Sequence, residues 1–205
     1  MARKSSKKSA SKSSLKPSPQ ARRKASAKPA APASRKTVKK SAKAARPAGP
    51  VATLQEGDLA PDFTLQRDGD LTLRLADFTG RKLVIFFYPR ADTPGCTLEA
   101  VDFSRLKSRF EEAGTSIVGI SADEVRAQTK FRDKHKLSVP LGADADLTTV
   151  TAYGVWGEKS MYGRTFLGIV RTTILVGPDG RIARIWRNVK VDGHAAEVLK
   201  IAQAL

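Results

Sequence analysis

The stretch Tyr88-Pro89-Arg90-Ala91-Asp92-Thr93-Pro94-Gly95-Cys96-Thr97-Leu98-Glu99 holds the single cysteine of this 205-residue chain. Apolar residues fill positions 83–88, which predicts a buried central strand that ends before Pro89. Thr93 and Pro94 suit the N-cap and the first position of a helix, where a proline needs no backbone N–H. Cys96 would then be the third helical residue, with its N–H in reach of the Thr93 hydroxyl. The stretch therefore predicts a strand–loop–helix unit.

A cysteine at this position is well placed to react. Free N–H groups and the positive end of the helix dipole favour the thiolate, which is the nucleophilic form. The alternative is that Cys96 is a core residue that packs as a small hydrophobic side chain. With one cysteine, the chain forms no internal disulfide, which fits a reducing compartment.

Charge divides the chain into two parts. Residues 1–50 hold 16 of the 37 Lys and Arg residues and none of the 20 Asp and Glu residues. The remainder is close to neutral, so we predict two regions: a basic tail at 1–50 and a globular domain at 51–205. The tail is rich in Lys, Ala, Ser and Pro and resembles linker-histone tails in composition. It has too few apolar residues to form a core, so we expect disorder there.

The favoured function of the tail is non-specific DNA or RNA binding through phosphate contacts and counterion release. A solvated extension or the binding of another polyanion, and an organelle transit peptide, are the alternatives. No aromatic residue separates the cations, so base stacking is not expected. The candidate phosphate-binding residues are Lys7, Lys8, Arg22, Arg23, Lys24, Arg35, Lys36, Lys39, Lys40 and Lys43.

The globular part alternates strand and helix patterns, which predicts an α/β fold with a mixed sheet. We expect strands near residues 64, 71–75, 83–88, 115–121 and 170–187, the last region as a hairpin turned by Pro178-Asp179-Gly180. Helices are predicted from Pro94 to about 112, from a Ser121-x-x-Glu124 capping box to about 136, over 146–153, and over 192–204. Phe103 and Phe110 follow Cys96 at heptad spacing and are expected in the core rather than at a ligand site.

The central stretch resembles the active-site motif of the peroxiredoxins, in particular the peroxiredoxin Q or bacterioferritin comigratory protein branch. Pro89, Thr93, Cys96 and the following Thr97-x-Glu99 carry the resemblance, together with Pro61-Asp62-Phe63 and the loop 155–164. It covers about residues 57–203 and implies a thioredoxin fold and a thiol-specific peroxidase that reduces hydrogen peroxide and organic hydroperoxides without a cofactor.

The resemblance also assigns site residues. Cys96 would be the peroxidatic nucleophile, which attacks the peroxide and becomes a sulfenic acid. Arg171, otherwise a surface strand arginine, would face Cys96, favour the thiolate and hold a peroxide oxygen together with Thr93. Pro89 would shield the site from water. Glu99 either orients Arg171 or is a solvated helix acid.

One position departs from the family pattern. Many peroxiredoxin Q proteins have a resolving cysteine five residues after the first, where this chain has Val101. The sulfenic acid would therefore need an external thiol, such as thioredoxin, glutathione or another small thiol, or Cys96 of a second copy. A dithiol–disulfide oxidoreductase is disfavoured for the same reason.

The remaining expectations concern partners and location. His135 is interpreted as part of a solvated charged face, and neither it nor His194 has neighbours at metal-ligand spacing, so no metal site is predicted. No apolar segment reaches the roughly 18 residues that span a bilayer. We expect a monomer or weak dimer in a bacterial cytoplasm, associated with the nucleoid, with the nucleus as the alternative. A nucleic-acid-binding or compaction protein with a peroxiredoxin-like scaffold is the competing hypothesis for the function.

Overall fold

The computed structural model describes residues 54–69, 71–161 and 164–205. The predicted tail at 1–50, with its ten candidate DNA-binding residues, lies outside the described residues. The same holds for Asp70 in the first predicted turn and for Tyr162 and Gly163 in the loop 155–164.

The predicted strands and helices occur in the predicted order, and three further strands, β5 to β7, were not predicted. The strands are β1 (Thr64–Arg67), β2 (Leu71–Arg74), β3 (Lys82–Phe87), β4 (Thr115–Ser121), β5 (Leu141–Ala143), β6 (Trp156–Met161), β7 (Arg164–Ile169), β8 (Thr172–Val176) and β9 (Ile182–Arg187). The helices are α1 (Pro94–Glu112), α2 (Val125–His135), α3 (Thr148–Ala152) and α4 (His194–Ala204), with a 3-10 turn at Leu75–Phe78.

Seven strands form one mixed sheet in the order β2-β1-β5-β4-β3-β8-β9. Strand β3 pairs in parallel with β4, and β4 with β5, whereas β8 runs antiparallel to both β3 and β9. This is the predicted α/β fold with a mixed central sheet and an antiparallel C-terminal hairpin. The loop predicted over 155–164 is different, because residues 156–161 and 164–169 form a separate two-stranded hairpin, β6–β7.

Strand β3 is buried on both faces, as its continuous apolar run predicts. Val84, Phe86 and Tyr88 face a core that includes Phe103 and Phe110 of α1 and side chains of α2 and α4. Leu83, Ile85 and Phe87 face the opposite core, with side chains from α3 and the β6–β7 hairpin. Phe103 and Phe110 are fully buried in the first core, so the prediction that they pack rather than line a ligand site is confirmed.

Two helix starts differ from expectation. The predicted Ser121-x-x-Glu124 capping box is wrong: Ser121 ends β4, and Glu124 itself is the N-cap of α2, without a side-chain cap bond. The Ser121 hydroxyl instead donates a hydrogen bond to Asp123 Oδ2 and accepts one from Gln128 Nε2. The last helix begins at His194 rather than near 192, after Gly193 in the left-handed region at φ 69°.

Candidate active site

Cys96 lies on the first turn of the helix that follows the central strand. Thr93 is the N-cap of α1 and Pro94 its first residue, so Cys96 is the third helical residue, as predicted. The preceding loop turns at Asp92, whose φ is 60°. The cysteine is free and only 1% exposed, so its sulfur is almost completely shielded from solvent.

The Thr93 hydroxyl has a different role from the predicted one. It donates to the carbonyl oxygen of Arg90 over 3.0 Å and makes no cap bond to the Cys96 N–H. The prediction of that cap bond is therefore wrong, because the hydroxyl closes the turn that precedes the helix. The backbone carbonyl oxygen of Thr93 accepts a hydrogen bond from the Thr97 N–H at 2.8 Å. Thr93 thereby holds the first turn of the helix that carries Cys96.

Arg171 reaches Cys96 because of the register between two strands. Phe87 at the end of β3 pairs with Thr172 at the start of β8, and Arg171 is one residue before Thr172. The antiparallel pairing therefore brings Arg171 beside the loop that leads to Cys96. Its Nη2 lies 3.2 Å from the Cys96 sulfur, so two residues 75 positions apart form one site. Arg171 precedes the strand rather than lying on it.

Glu99 is one turn after Cys96 on the same face of α1, which places it against the same guanidinium. Its Oε2 accepts a hydrogen bond from Arg171 Nη1, and its side chain is 1% exposed. The interpretation of Glu99 as a solvated helix acid is therefore wrong. Its other oxygen, Oε1, is buried and has no hydrogen-bond partner among the described residues.

Burial and the neighbouring charges have opposite effects on the pKa values of Glu99 and Arg171. Burial raises the pKa of Glu99 to about 7, although the charge and hydrogen bond of Arg171 act in the opposite direction. Burial alone would lower the pKa of Arg171, but the charges of Glu99 and Cys96 outweigh it and raise that pKa. Arg171 therefore stays protonated and presents one guanidinium edge to the sulfur and the other to the carboxylate.

The loop between β3 and α1 is held by contacts that the sequence did not indicate. Asp123 Oδ2 accepts the Ala91 N–H at 2.7 Å and the Ser121 hydroxyl at 2.7 Å. Asp123 follows β4, the parallel neighbour of β3, so its position near the loop depends on the pairing of the two strands. No local motif marks Asp123 for this role.

Asp92 forms the second anchor of the loop. It accepts from Lys134 Nζ at 2.7 Å and contacts His135 Nε2 at 2.6 Å, and these hydrogen bonds lower the pKa of Asp92. His135 therefore lies on a charged surface, as predicted, but its side chain is partly buried and paired with Asp92. Both partners come from the last turn of α2, where cations are also favoured by the helix dipole.

The other candidates have simpler positions. Pro89 is half-buried in the loop between β3 and α1. His194 is buried, and its Nε2 lies 2.8 Å from the Thr173 hydroxyl. Within the described parts of the chain, no group of three or more His, Cys, Asp and Glu residues could hold a metal ion. Nor does any helix of those parts combine the length and apolar character needed to cross a membrane.

Comparison with known proteins shows the family to which the chain belongs. The model of the AhpC/TSA family matches residues 57–185, which is more than half of the chain. The chain belongs to this family. The putative peroxiredoxin bcp of Coxiella burnetii is 43% identical over 147 residues, which cover 72% of this chain and 97% of the relative. The peroxiredoxin Bcp of Bacillus subtilis is 39% identical over 148 residues, 72% of this chain and 94% of the relative.

Solved peroxiredoxin structures share the fold. The bacterioferritin comigratory protein of Xanthomonas campestris, described with its alkyl peroxide reduction activity, matches with a TM-score of 0.66 and 41% identity. The match covers 69% of this chain and 90% of that one. A mutant of Xylella fastidiosa PrxQ matches with a TM-score of 0.71 and 36% identity, over 75% and 98% of the two chains. Like these proteins, this chain is a peroxiredoxin: it has the thioredoxin fold and is a thiol-dependent peroxidase.

In this peroxiredoxin Val101 is partly buried and packs against the same core as Cys96. It holds the position at which the family pattern predicts a resolving cysteine. Cys96 is the single thiol of the chain. The site therefore contains one thiol, and the chain offers no second thiol with which it could form an internal disulfide.

Proposed function

We propose that Cys96 is the peroxidatic residue and that it reduces hydrogen peroxide and organic hydroperoxides. The observation that carries this proposal is the 3.2 Å contact between Arg171 Nη2 and the Cys96 sulfur at the start of α1. A guanidinium and a helix N-terminus together favour the thiolate, which attacks the terminal peroxide oxygen. The S–O bond forms as the O–O bond breaks, the leaving hydroxide or alkoxide takes up a proton to become water or an alcohol, and Cys96 becomes a sulfenic acid.

Four other residues support this step. Arg171 stabilises the negative charge that develops on the leaving oxygen, because its guanidinium already points at the sulfur. Glu99 holds the other edge of that guanidinium and thereby orients it. Thr93 fixes the turn before the helix through its bond to Arg90, and Pro89 restricts the same loop. These assignments make Arg171 a catalytic residue and Glu99 a positioning residue.

The sulfenic acid is resolved by a thiol from outside the chain. An incoming thiolate attacks the Cys96 sulfur, the S–O bond breaks, and the departing hydroxide takes up a proton to leave as water. A second external thiol then releases Cys96 from the mixed disulfide. Thioredoxin, glutathione and similar small thiols are the candidate reductants.

The decisive experiment measures peroxide consumption by the wild type and by Cys96→Ser. Without added thiol, the wild type is expected to consume about one equivalent of hydrogen peroxide per chain, because it has a single thiol. With thioredoxin or glutathione systems it is expected to turn over. Cys96→Ser should do neither, and turnover equal to that of the wild type in this variant would refute the proposal.

We propose further that the basic tail tethers the enzyme to DNA in a bacterial nucleoid. The support is its charge: 16 cations and no acidic residue within residues 1–50. Replacement of the ten candidate Lys and Arg residues by Gln leaves six cations in the tail, so it is expected to weaken DNA binding, to lower the salt slope and to leave peroxide turnover intact. Each phosphate that the tail neutralises adds about 0.9 to the salt slope, so the wild-type slope gives the number of phosphates engaged.

The competing function, nucleic-acid compaction by a chain whose folded domain is only a scaffold, makes the opposite prediction for turnover. It would be favoured if the full-length chain bound DNA tightly and consumed no peroxide under any thiol system. DNA affinity unchanged by the Gln replacements would contradict both the tether and the compaction hypothesis.

A further inference from the structure

Lys159 is a half-buried cation near the peroxidatic cysteine that the mechanism above does not use. It lies on β6, and its Nζ donates to the carbonyl oxygen of Ile169 over 2.6 Å. Ile169 is two residues before Arg171 in the chain. The ammonium therefore lies beside the backbone segment that presents Arg171 to Cys96.

The path of the Lys159 side chain is defined by its neighbours. Lys159 pairs with Phe166 across the β6–β7 hairpin, so the two side chains lie on the same face. A Cβ placed on Gly168 would be 3.4 Å from Cδ of Lys159 and 3.8 Å from the Phe166 ring. The lysine stem thus passes over Gly168, within van der Waals distance of the position that a Cβ would occupy. Phe166 is 44% exposed, so its ring and the ammonium form an open amphipathic surface.

Lys159 has no counter-ion within the part of the chain that the structure describes. None of the ion pairs formed by those residues includes it. Burial and the like charge of Arg171 lower its pKa, and Cys96 acts against them. Arg171 already has Glu99 as its counter-ion, whereas Lys159 Nζ is hydrogen-bonded to a backbone carbonyl oxygen. Among the described residues no carboxylate neutralises the Lys159 ammonium, so an anionic group on an incoming reactant would be attracted to it.

We propose that Lys159 is a specificity-determining residue, whose ammonium binds a carboxylate on the molecule that reacts at Cys96. This inference rests on the proposed peroxidase function of Cys96 and adds a chemical class of reactant to it. The carboxylate can be carried by the hydroperoxide or by the external thiol. Lys159 forms and breaks no covalent bond in either step. It attracts and orients the anionic reactant, while the Phe166 ring contacts the apolar part of that reactant.

The test uses pairs of reactants that differ mainly in charge. The hydroperoxide pair is cumene hydroperoxide and its para-carboxylate derivative. The thiol pair is mercaptoethanol and mercaptopropionate. For each pair the quantity measured is the ratio of kcat/KM for the anionic reactant to that for the neutral one. Dividing the wild-type ratio by the variant ratio cancels the intrinsic reactivity of each compound.

The variants are Lys159→Met, Lys159→Arg and, as a matched control, Lys200→Met on the exposed surface of α4. Lys159→Met is expected to lower the ratio about five- to tenfold, as loss of a close charge pair does. Lys159→Arg keeps the charge and should keep most of the wild-type ratio, and Lys200→Met should keep all of it. In the wild type, added salt should lower the ratio, because screening weakens the attraction. The salt titration needs only the wild type, so it tests the proposal even if Lys159→Met does not fold.

The outcomes are distinguishable. A lower ratio in the hydroperoxide arm, or in the thiol arm, supports the proposal and identifies which reactant carries the carboxylate. Equal losses with neutral and anionic reactants would overturn it, since they would mean that Lys159 acts on the thiolate in general. An anionic-to-neutral ratio unaffected by salt in the wild type would overturn it as well. A wild type without any peroxide turnover would instead refute the proposed function itself.

Discussion

The Arg171–Glu99 pair allows activity and stability to be separated by mutation. Arg171→Met removes the donor that lies 3.2 Å from the Cys96 sulfur, while Glu99 stays buried in the same position. Loss of one preorganised donor to a developing negative charge costs about 10²–10³-fold in rate. The second-order rate constant with hydrogen peroxide should fall by about that factor.

The cost in stability follows from Glu99. Without Arg171 the buried carboxyl is expected to take up a proton in the folded state, whereas in the unfolded chain it is ionised at pH 7, with an ordinary pKa of 4.5. At about 1.4 kcal/mol per pKa unit, this difference limits the penalty to about 3 kcal/mol. Because burial already raises the pKa of Glu99 to about 7 in the wild type, part of that penalty is present before the mutation.

We therefore expect Arg171→Met to lower the free energy of unfolding by about 1–3 kcal/mol, which includes the lost hydrogen bonds. This corresponds to a decrease in Tm of about 2–10 °C for a domain of this size. The double variant Arg171→Met/Glu99→Gln should regain much of the stability and none of the activity. Arg105→Met is the matched control: Arg105 pairs with Asp102 at 2.6 Å on exposed α1 surface, and its loss should cost at most about 1 kcal/mol.

The pH dependence provides a further check of the same reasoning. A folded-state pKa above the unfolded value means that the folded protein holds a proton that the unfolded chain releases. The contribution of Glu99 to stability is therefore present below about pH 4.5 and decreases as the pH rises toward about 7. Glu99→Gln should remove this slope. Denaturant unfolding at several pH values measures this slope. Equal stability of Arg171→Met and of the double variant Arg171→Met/Glu99→Gln at neutral pH would refute the assignment of the stability cost to the buried Glu99 carboxyl.

Three further predictions concern the loop and the core. Thr93→Val removes the hydroxyl that bonds to Arg90 and should lower the peroxide rate constant about tenfold, whereas Thr93→Ser should retain most of it. Burial lowers the pKa of His194 below 6.5, so unfolding free energy should decrease as the pH falls below 6.5, and His194→Gln should flatten that dependence in denaturant titrations. Gly119→Ala would place a Cβ 2.5 Å from Phe86 Cζ and should destabilise the domain by about 1–3 kcal/mol in the same assay; no loss would show that the ring can move freely.

Local patterns predicted most of the elements. The apolar run before Pro89 indicated a strand buried on both faces, and Thr93-Pro94 marked the start of α1, because these signals depend on residues adjacent in the chain. Predictions based on a single side-chain bond were less successful. Thr93 and Ser121 both have hydroxyls that could cap a helix, but each binds elsewhere because the folded chain offers other partners.

The amino-acid sequence alone was enough to place Cys96 on the first turn of a helix after a central strand, and to show that the chain has no second cysteine. The surroundings of the sulfur depend on the folded chain. The β3–β8 register brings Arg171 to Cys96, and the helical repeat then buries Glu99 against Arg171. Asp123 and Lys159 reach the site region from other strands or loops. Such contacts depend on strand pairing between distant segments, whose register is set by the packing of the whole sheet rather than by local spacing.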